Sequence, residues 1–273
     1  MSVLLPVVIG LGVGVVVGAL GAGGGILAVP VLVHLLGQSP QNAATGSLVL
    51  VVLTALTSLP ARARDVRWRD GLVFGALSIV GSFAGARLSV RVDPTVLMVL
   101  FTVLLAGVAI AMLRRSGAPR RARRATSGVA EDDLDTAPGK GTGASAFHGR
   151  PSALVVAAAA TVTGLLTGLF GVGGGFAVVP ALTLVLGFGM HAASGTSLLA
   201  MILSAGAALA GRWDTIADVD WAVPLLFAGA SMVGGLLGTR VSRRADPAAL
   251  SRAFGVLLLV VAVANGVATA LEA

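Results

Sequence analysis

The sequence predicts an all-α, polytopic integral membrane protein of two inverted repeats with about five apolar segments each, roughly 8–10 membrane segments in all. Composition, internal repetition and the placement of arginine carry that prediction. Of 273 residues, 56% are hydrophobic and 11% charged, and the mean hydropathy is +0.96. A soluble domain carries about 25% charged residues, so this chain cannot coat a water-facing surface, which excludes an ordinary cytosolic enzyme. Thirty-eight glycines, no tyrosine and 4% aromatics favour thin, closely packed helices over a β-barrel with aromatic girdles. The absence of cysteine excludes disulfides, thiolate chemistry and cysteine-ligated metals. A net charge of +7 would point to nucleic acid in a soluble chain. Here the arginine positions assign it to membrane topology, and no nucleic-acid partner is expected.

The elements follow in order. A first membrane repeat, 1–113, holds apolar segments at about 3–20, 24–37, 43–60, 71–90 and 95–113. Met1 and Ser2 run straight into apolar sequence with no basic stretch, so no cleavable signal peptide is expected. The segment 114–150 is the one long polar stretch. It opens with Arg114, Arg115, Arg120, Arg121, Arg123 and Arg124, continues through Glu131, Asp132, Asp133 and Asp135, and ends in Gly, Ser and Thr. Such a stretch buries too little apolar surface to offset its ordering entropy, which makes it a linker. A second membrane repeat, 151–273, holds segments at about 154–170, 174–187, 192–210, 222–241 and 249–270. A spanning helix needs about 20 residues. The second segment of each half is too short and follows a glycine run, so it reads as half of a broken helix.

The halves repeat one another. Gly21, Gly23, Gly24, Gly25 and Pro30 return as Gly171, Gly173, Gly174, Gly175 and Pro180, an offset of 150, and Ala44 to Leu48 matches Ser194 to Leu198. At an offset of 153, Asp65 and Trp68 match Asp218 and Trp221, Arg87 matches Arg240, and Asp93-Pro94 matches Asp246-Pro247. Four blocks in one order indicate an internal duplication. With an odd number of crossings per half, the copies are inverted. If both termini lie outside, the loop 61–70, the linker and the stretch 240–252 fall in the cytoplasm with 16 of the 19 Lys/Arg, leaving Arg87, Arg91 and Arg212 outside. This obeys the positive-inside bias. The expected location is the cell membrane, with the Arg-rich linker cytoplasmic. The equivalent loops 61–70 and 211–221 differ in sign, four Arg and two Asp against one Arg and three Asp. Trp68, Trp213 and Trp221 in those loops suit interfacial anchors.

Inverted repeats with broken helices suit a secondary transporter that binds its substrate where the repeats meet. No phosphate-binding Gly-x-x-x-x-Gly-Lys-Ser/Thr motif is present, so ATP is not the direct energy source. Candidate substrate-binding groups are the backbone amides of Gly23, Gly24, Gly25, Gly173, Gly174 and Gly175, which can form a concave nest at a positive helix end. The alternative for these glycines is close helix crossing. Pro30 and Pro180 lack the N–H that continues the ladder and keep the helix after them irregular. The hydroxyls of Thr45, Ser47, Thr196 and Ser197 are placed to donate to an oxyanion, or to bond their own helix backbone. Arg87 and Arg240, at equivalent ends of the fourth segments, either attract or gate an anion or snorkel to the headgroups. His34 and His191 have Leu184 and Gln41 as counterparts, and are either structural or proton carriers. No metal-ligand spacing or nucleophile–base set appears, so no metal, cofactor or enzymatic activity is expected.

The paired Gly-x-Gly-Gly-Gly-x-x-x-x-Pro motifs, Gly21 to Pro30 with Ala44 to Leu48 and Gly171 to Pro180 with Ser194 to Leu198, resemble the sulfite exporter TauE/SafE family of permeases. The resemblance spans about 1–113 and 151–273 and omits the linker. It implies a secondary carrier of small sulfur-containing anions such as sulfite, thiosulfate or organosulfonates, embedded in the lipid bilayer. The alternative is a membrane scaffold or assembly factor, in which the glycines only pack and the linker does the work. The sequence separates neither one anion from another, nor export from import, nor one oligomeric state from the next.

Overall fold

The computed structural model describes residues 4–20, 25–116, 152–216, 219, 221–242 and 245–272. Ten helical elements follow the ten expected segments: α1 (Leu4–Leu20), α2 (Gly25–Pro30), α3 (Pro40–Arg62), α4 (Trp68–Ser89) and α5 (Pro94–Ser116), then α6 (Ala153–Phe170), α7 (Gly175–Pro180), α8 (Met190–Gly211), α9 (Ala222–Ser242) and α10 (Pro247–Glu272). Among the described residues there is no strand. α5 continues through Arg114, Arg115 and Ser116 at the start of the expected linker. Arginine is a good helix former, so the helix runs past the end of the apolar sequence. The rest of the linker lies outside the described residues.

The starts and stops are local chemistry. Ser39 caps α3 by accepting the Asn42 amide at 3.3 Å, with Pro40 at the first helical position where its missing N–H costs nothing. Asp93 accepts the Thr95 amide at 2.8 Å ahead of Pro94. Pro30 and Pro180 each close a short α-helix and hand over to a π-helical turn, Val31–Leu35 and Ala181–Val185. A proline nitrogen cannot donate to the preceding turn, and its ring crowds the carbonyl four residues back, so the ladder widens. Both π turns close alike. The Leu36 and Leu186 amides donate to Val31 and Ala181, and Gly37 and Gly187 follow with positive φ of 67° and 69°.

Packing interleaves the two halves. α1 lies along α9, and their counterparts α6 and α4 lie along each other; α4 also packs on α8, as α9 does on α3. These contacts are backbone to backbone. A Cβ on Gly14 or Gly18 of α1 would strike Ser231 or Gly235 of α9, and one on Gly81 or Gly85 of α4 would strike Thr161 or Leu165 of α6. Small residues let helices approach in lipid, where dispersion rather than the hydrophobic effect holds them. Gly14 and Gly18 with Gly234 and Gly238, and Gly81 and Gly85 with Gly164 and Gly168, form these two seams. Counterpart helices run antiparallel at the centre. Arg62 at the end of α3 reaches Ser194 at the start of α8, while Arg212 just past α8 reaches Thr45 at the start of α3. The same holds for α5 and α10, where Asn265 bonds Thr102 and Gly255 abuts Leu113.

Among the described residues seven helices, α3 to α6 and α8 to α10, are long and apolar enough to cross a membrane, and Leu4–Leu20, Gly25–Leu35 and Gly175–Val185 are shorter apolar helices. Large apolar side chains such as Val80, Val103, Val162 and Val260 point outward and exposed, the pattern of a lipid-facing surface. α3 and α8 are the most enclosed of the long helices. The short α2 and α7 are packed against them.

Candidate functional site

The broken helices begin at the place where the halves meet. Gly25 opens α2 against the second half: a Cβ there would collide with the Val172 carbonyl and the Val51 side chain. Gly23 and Gly24 lie outside the described residues. In the second half Gly171, Gly173 and Gly174 all have positive φ, 67°, 67° and 76°, a region that other residues adopt at a cost of about 1–2 kcal/mol. A Cβ on Gly171 would meet Ala44, and one on Gly173 would meet Val51, both on α3. Ser47 of α3 donates to the Gly171 carbonyl and to Ala44 O at 3.0 Å. The glycine loop of the second half is therefore seated on the third helix of the first. Phe101, Phe170 and Phe176 wall it in, with centroids 5.3–6.4 Å apart. At the start of α7 the Ala177 and Val178 amides donate back to the Gly174 carbonyl at 2.9 and 2.6 Å, which leaves those of Gly175 and Phe176 without an acceptor in their own helix.

The expected hydroxyls are buried around the same junction. Thr45 donates to Gln41 O at 3.0 Å and Ser197 to Ser194 O at 3.0 Å, bonds within their own helices. Thr196 accepts the Arg67 amide at 3.0 Å, which ties the start of α8 to the loop after α3. Thr45 and Ser197 thus hold bonds within their own helices, while Ser47 and Thr196 bond across the two halves.

Two arginines that the composition argument had counted as loop charges are buried instead, 3% and 1% exposed. Arg62 donates to Ser194 Oγ at 2.5 Å and to the carbonyls of Gly18 and Ala19 at 2.7 and 3.2 Å. Arg212 donates to Ser89 Oγ at 2.7 Å, to the carbonyls of Gly168 and Leu169 at 3.0 and 3.3 Å, and to Thr45 Oγ1 at 3.5 Å. Each guanidinium thus sits on the negative C-terminal end of its own half's first helix and bridges to the other half's third. The signal was available: 62 and 212 differ by 150, the repeat offset. Removing both from the topology count leaves 15 arginines and lysines against 2, the same bias.

The remaining candidates lie away from the junction. Arg87 pairs with Asp214 at 2.7 Å at an exposed site and lies over Phe83, and Arg240 is exposed. His34, on the first π turn, bonds Asn265 Oδ1 at 3.2 Å. The His191 carbonyl accepts from Ser194 at 3.0 Å, beside the Arg62 contact. Among the described residues no group of three or more His, Asp or Glu could hold a metal.

Over 267 residues the chain is 33% identical to a "Probable membrane transporter protein" of Xylella fastidiosa (strain Temecula1), covering 95% of this chain and 94% of that one. It is 30% identical over 275 residues to the "Probable membrane transporter protein YunE" of Bacillus subtilis (strain 168), covering 96% of each. A 27% match to a protein of the same description from Methanocaldococcus jannaschii covers 66% of this chain and 62% of that one. No solved structure matches. Residues 6–265 match the sulfite exporter TauE/SafE family, so the chain belongs to that transporter family.

Proposed function

We propose that this membrane transporter carries small anions, sulfur-containing oxyanions such as sulfite, thiosulfate or organosulfonates, by alternating access between two inverted halves. The carrying observation is that α2 starts against the glycine loop ahead of α7, between the antiparallel helices α3 and α8. Helix starts concentrate unbonded amides and positive dipole ends, and two of them converging give an anion a binding place without a charged side chain. In this reading the amides of Gly23 to Gly25 and Gly173 to Gly175 cradle the anion, and Thr45, Ser47, Thr196 and Ser197 add hydroxyl donors. Arg62 and Arg212 supply positive potential from either end of the crossing. Arg87 and Arg240 draw anions to the surface, and His34 or His191 carries protons. The termini face outward and the Arg-rich linker lies in the cytoplasm of a cell whose plasma membrane holds the protein.

Purified protein in liposomes, assayed for uptake of each sulfur anion, tests the substrate: saturable flux of at least one is expected, and none for any of them overturns the anion claim. Labelling of single cysteines introduced near 66 and near 216 tests the inversion. Opposite faces are expected, and a common face overturns it.

A further inference from the structure

A cavity of about 400 Å³ opens on the flank of the molecule between α4, the start of α6 and the end of the second π turn. Its walls include Val73, Val156, Leu186 and Phe188, and Arg69 and Asp70 stand at its rim. Arg67 lies 4.4 Å above the centre of the Phe188 ring, so a second guanidinium is fixed beside the same opening. Outward from it α4 presents exposed Leu72, Val80 and Phe83, the lipid-facing surface of the helix. We infer that this is a binding site for one anionic phospholipid, its phosphate on Arg67 and Arg69 and an acyl chain along Val73, Val156 and Phe188.

The repeat supplies an internal control. The positions equivalent to Arg67, Arg69 and Phe188 are Asp220, Ala222 and Gln38. The equivalent positions therefore carry neither basic nor aromatic residues, and that equipment is peculiar to the arginine-rich face. Asp70 is in the first turn of α4, where the helix dipole suits a carboxylate. Two guanidiniums against one carboxylate leave the rim positive. Basic pockets between membrane helices on the cytoplasmic side are where acidic headgroups bind. The site rests on the proposed orientation, which puts this face in the cytoplasm, and not on what the protein transports.

Trp68, half exposed between the two arginines, is a built-in reporter. In full-length protein with Trp213→Phe and Trp221→Phe it is the sole tryptophan. Reconstitution into phosphatidylcholine vesicles doped with acyl-brominated phosphatidylglycerol, or with acyl-brominated phosphatidylcholine at equal fraction, measures headgroup preference by quenching. About tenfold tighter apparent association of the glycerol lipid is expected, and it should fall with salt. Arg67→Gln with Arg69→Gln, both on the exposed rim, should abolish the preference while far-ultraviolet circular dichroism stays unchanged. Equal quenching by the two brominated lipids, or a preference that survives the double substitution in folded protein, overturns the site.

Discussion

The two buried arginine clusters and the two flanking helix crossings behave differently under the repeat. Arg62 and Arg212 make the same backbone contacts, to Gly18 and Ala19 in one half and Gly168 and Leu169 in the other. Their hydroxyl partners differ, Ser194 for one and Ser89 with Thr45 for the other. At the crossings the chemistry itself changes. His34 bonds Asn265, which bonds Thr102 at 2.7 Å, whereas the equivalent crossing has Leu184 beside Thr183, and Thr183 meets the Met112 sulfur at 3.8 Å. The difference separates architecture from specialisation. Every copy of this half must satisfy the carbonyls at the end of its first helix, because lipid offers them no water. Nothing in the fold requires a polar crossing at α10, so His34 and Asn265 are additions to one face.

The largest effect should follow from removing a cluster. Arg62→Gln leaves two buried carbonyls and one hydroxyl, and Arg212→Gln two carbonyls and two hydroxyls, without their charged donor, at about 1–3 kcal/mol for each group left unsatisfied. Unfolding of purified protein in detergent should show losses within about 1 kcal/mol of each other if the two clusters do the same work. Lysine at either position should fall between, since it keeps the charge and loses the planar fork. A large loss at one site and none at the other would break the equivalence.

The glycine loops come next. Gly173→Ala combines a positive φ with a collision against Val51, and strain plus overpacking sum to about 2–4 kcal/mol. Gly206→Ala in α8, where nothing lies within 4 Å of the new methyl, should instead stabilise by up to about 1 kcal/mol. The two variants, compared by thermal unfolding, separate glycines held by the junction from glycines that merely occupy a helix. Equal effects would mean that the loop relaxes freely.

A smaller effect sharpens the contrast between crossings. Asn265→Leu removes the partner of His34 and Thr102 and should cost about 1–3 kcal/mol, because buried polar groups lose bonds. Met112→Leu at the equivalent place is a volume-conserving apolar swap and should cost less than about 1.5 kcal/mol. Denaturation that ranked them the other way would remove the claim that one crossing is polar by specialisation.

Much of this was readable in the chain because periodicity and glycine punctuation act locally. The ten segments, the breaks after Pro30 and Pro180 and the repeat offsets of 150 and 153 all follow from neighbouring residues. Arg62 and Arg212 were not legible in the same way. Each ends a helix beside a charged loop, and a guanidinium there is ordinarily solvated or snorkelling. Only the fold shows that the carbonyl ends of α1 and α6 arrive at those positions. The aromatic wall of Phe101, Phe170 and Phe176 was equally hidden, since it joins residues 69 or more positions apart in part and its first-half counterparts include Leu20 and Ile26. Of the hydroxyls singled out in the sequence, Thr45 and Ser197 bond their own helices, to Gln41 and Ser194, an alternative the chain itself offers, whereas the bonds of Ser47 to Gly171 and Thr196 to Arg67 depend on packing.

The smallest effect belongs to the exposed pair. Arg87 and Asp214 sit 2.7 Å apart with side chains 42% and 53% exposed, linking the end of α4 to the turn after α8. In that setting a salt bridge is worth about 0–1 kcal/mol, since water and side-chain entropy cancel most of the attraction. Asp214→Asn should therefore leave unfolding nearly unchanged, and what difference exists should vanish in about 1 M salt, where screening acts over about 3 Å. If Arg87 draws anions to the mouth of the transporter, the same substitution frees its charge, so the apparent KM for an anionic substrate should fall slightly at low salt while the maximal rate holds. Arg87→Gln should raise that KM instead. A stability loss comparable to that of Arg212→Gln would place this pair among the structural arginines and erase the distinction between a guanidinium that holds the halves together and one that only faces the solution.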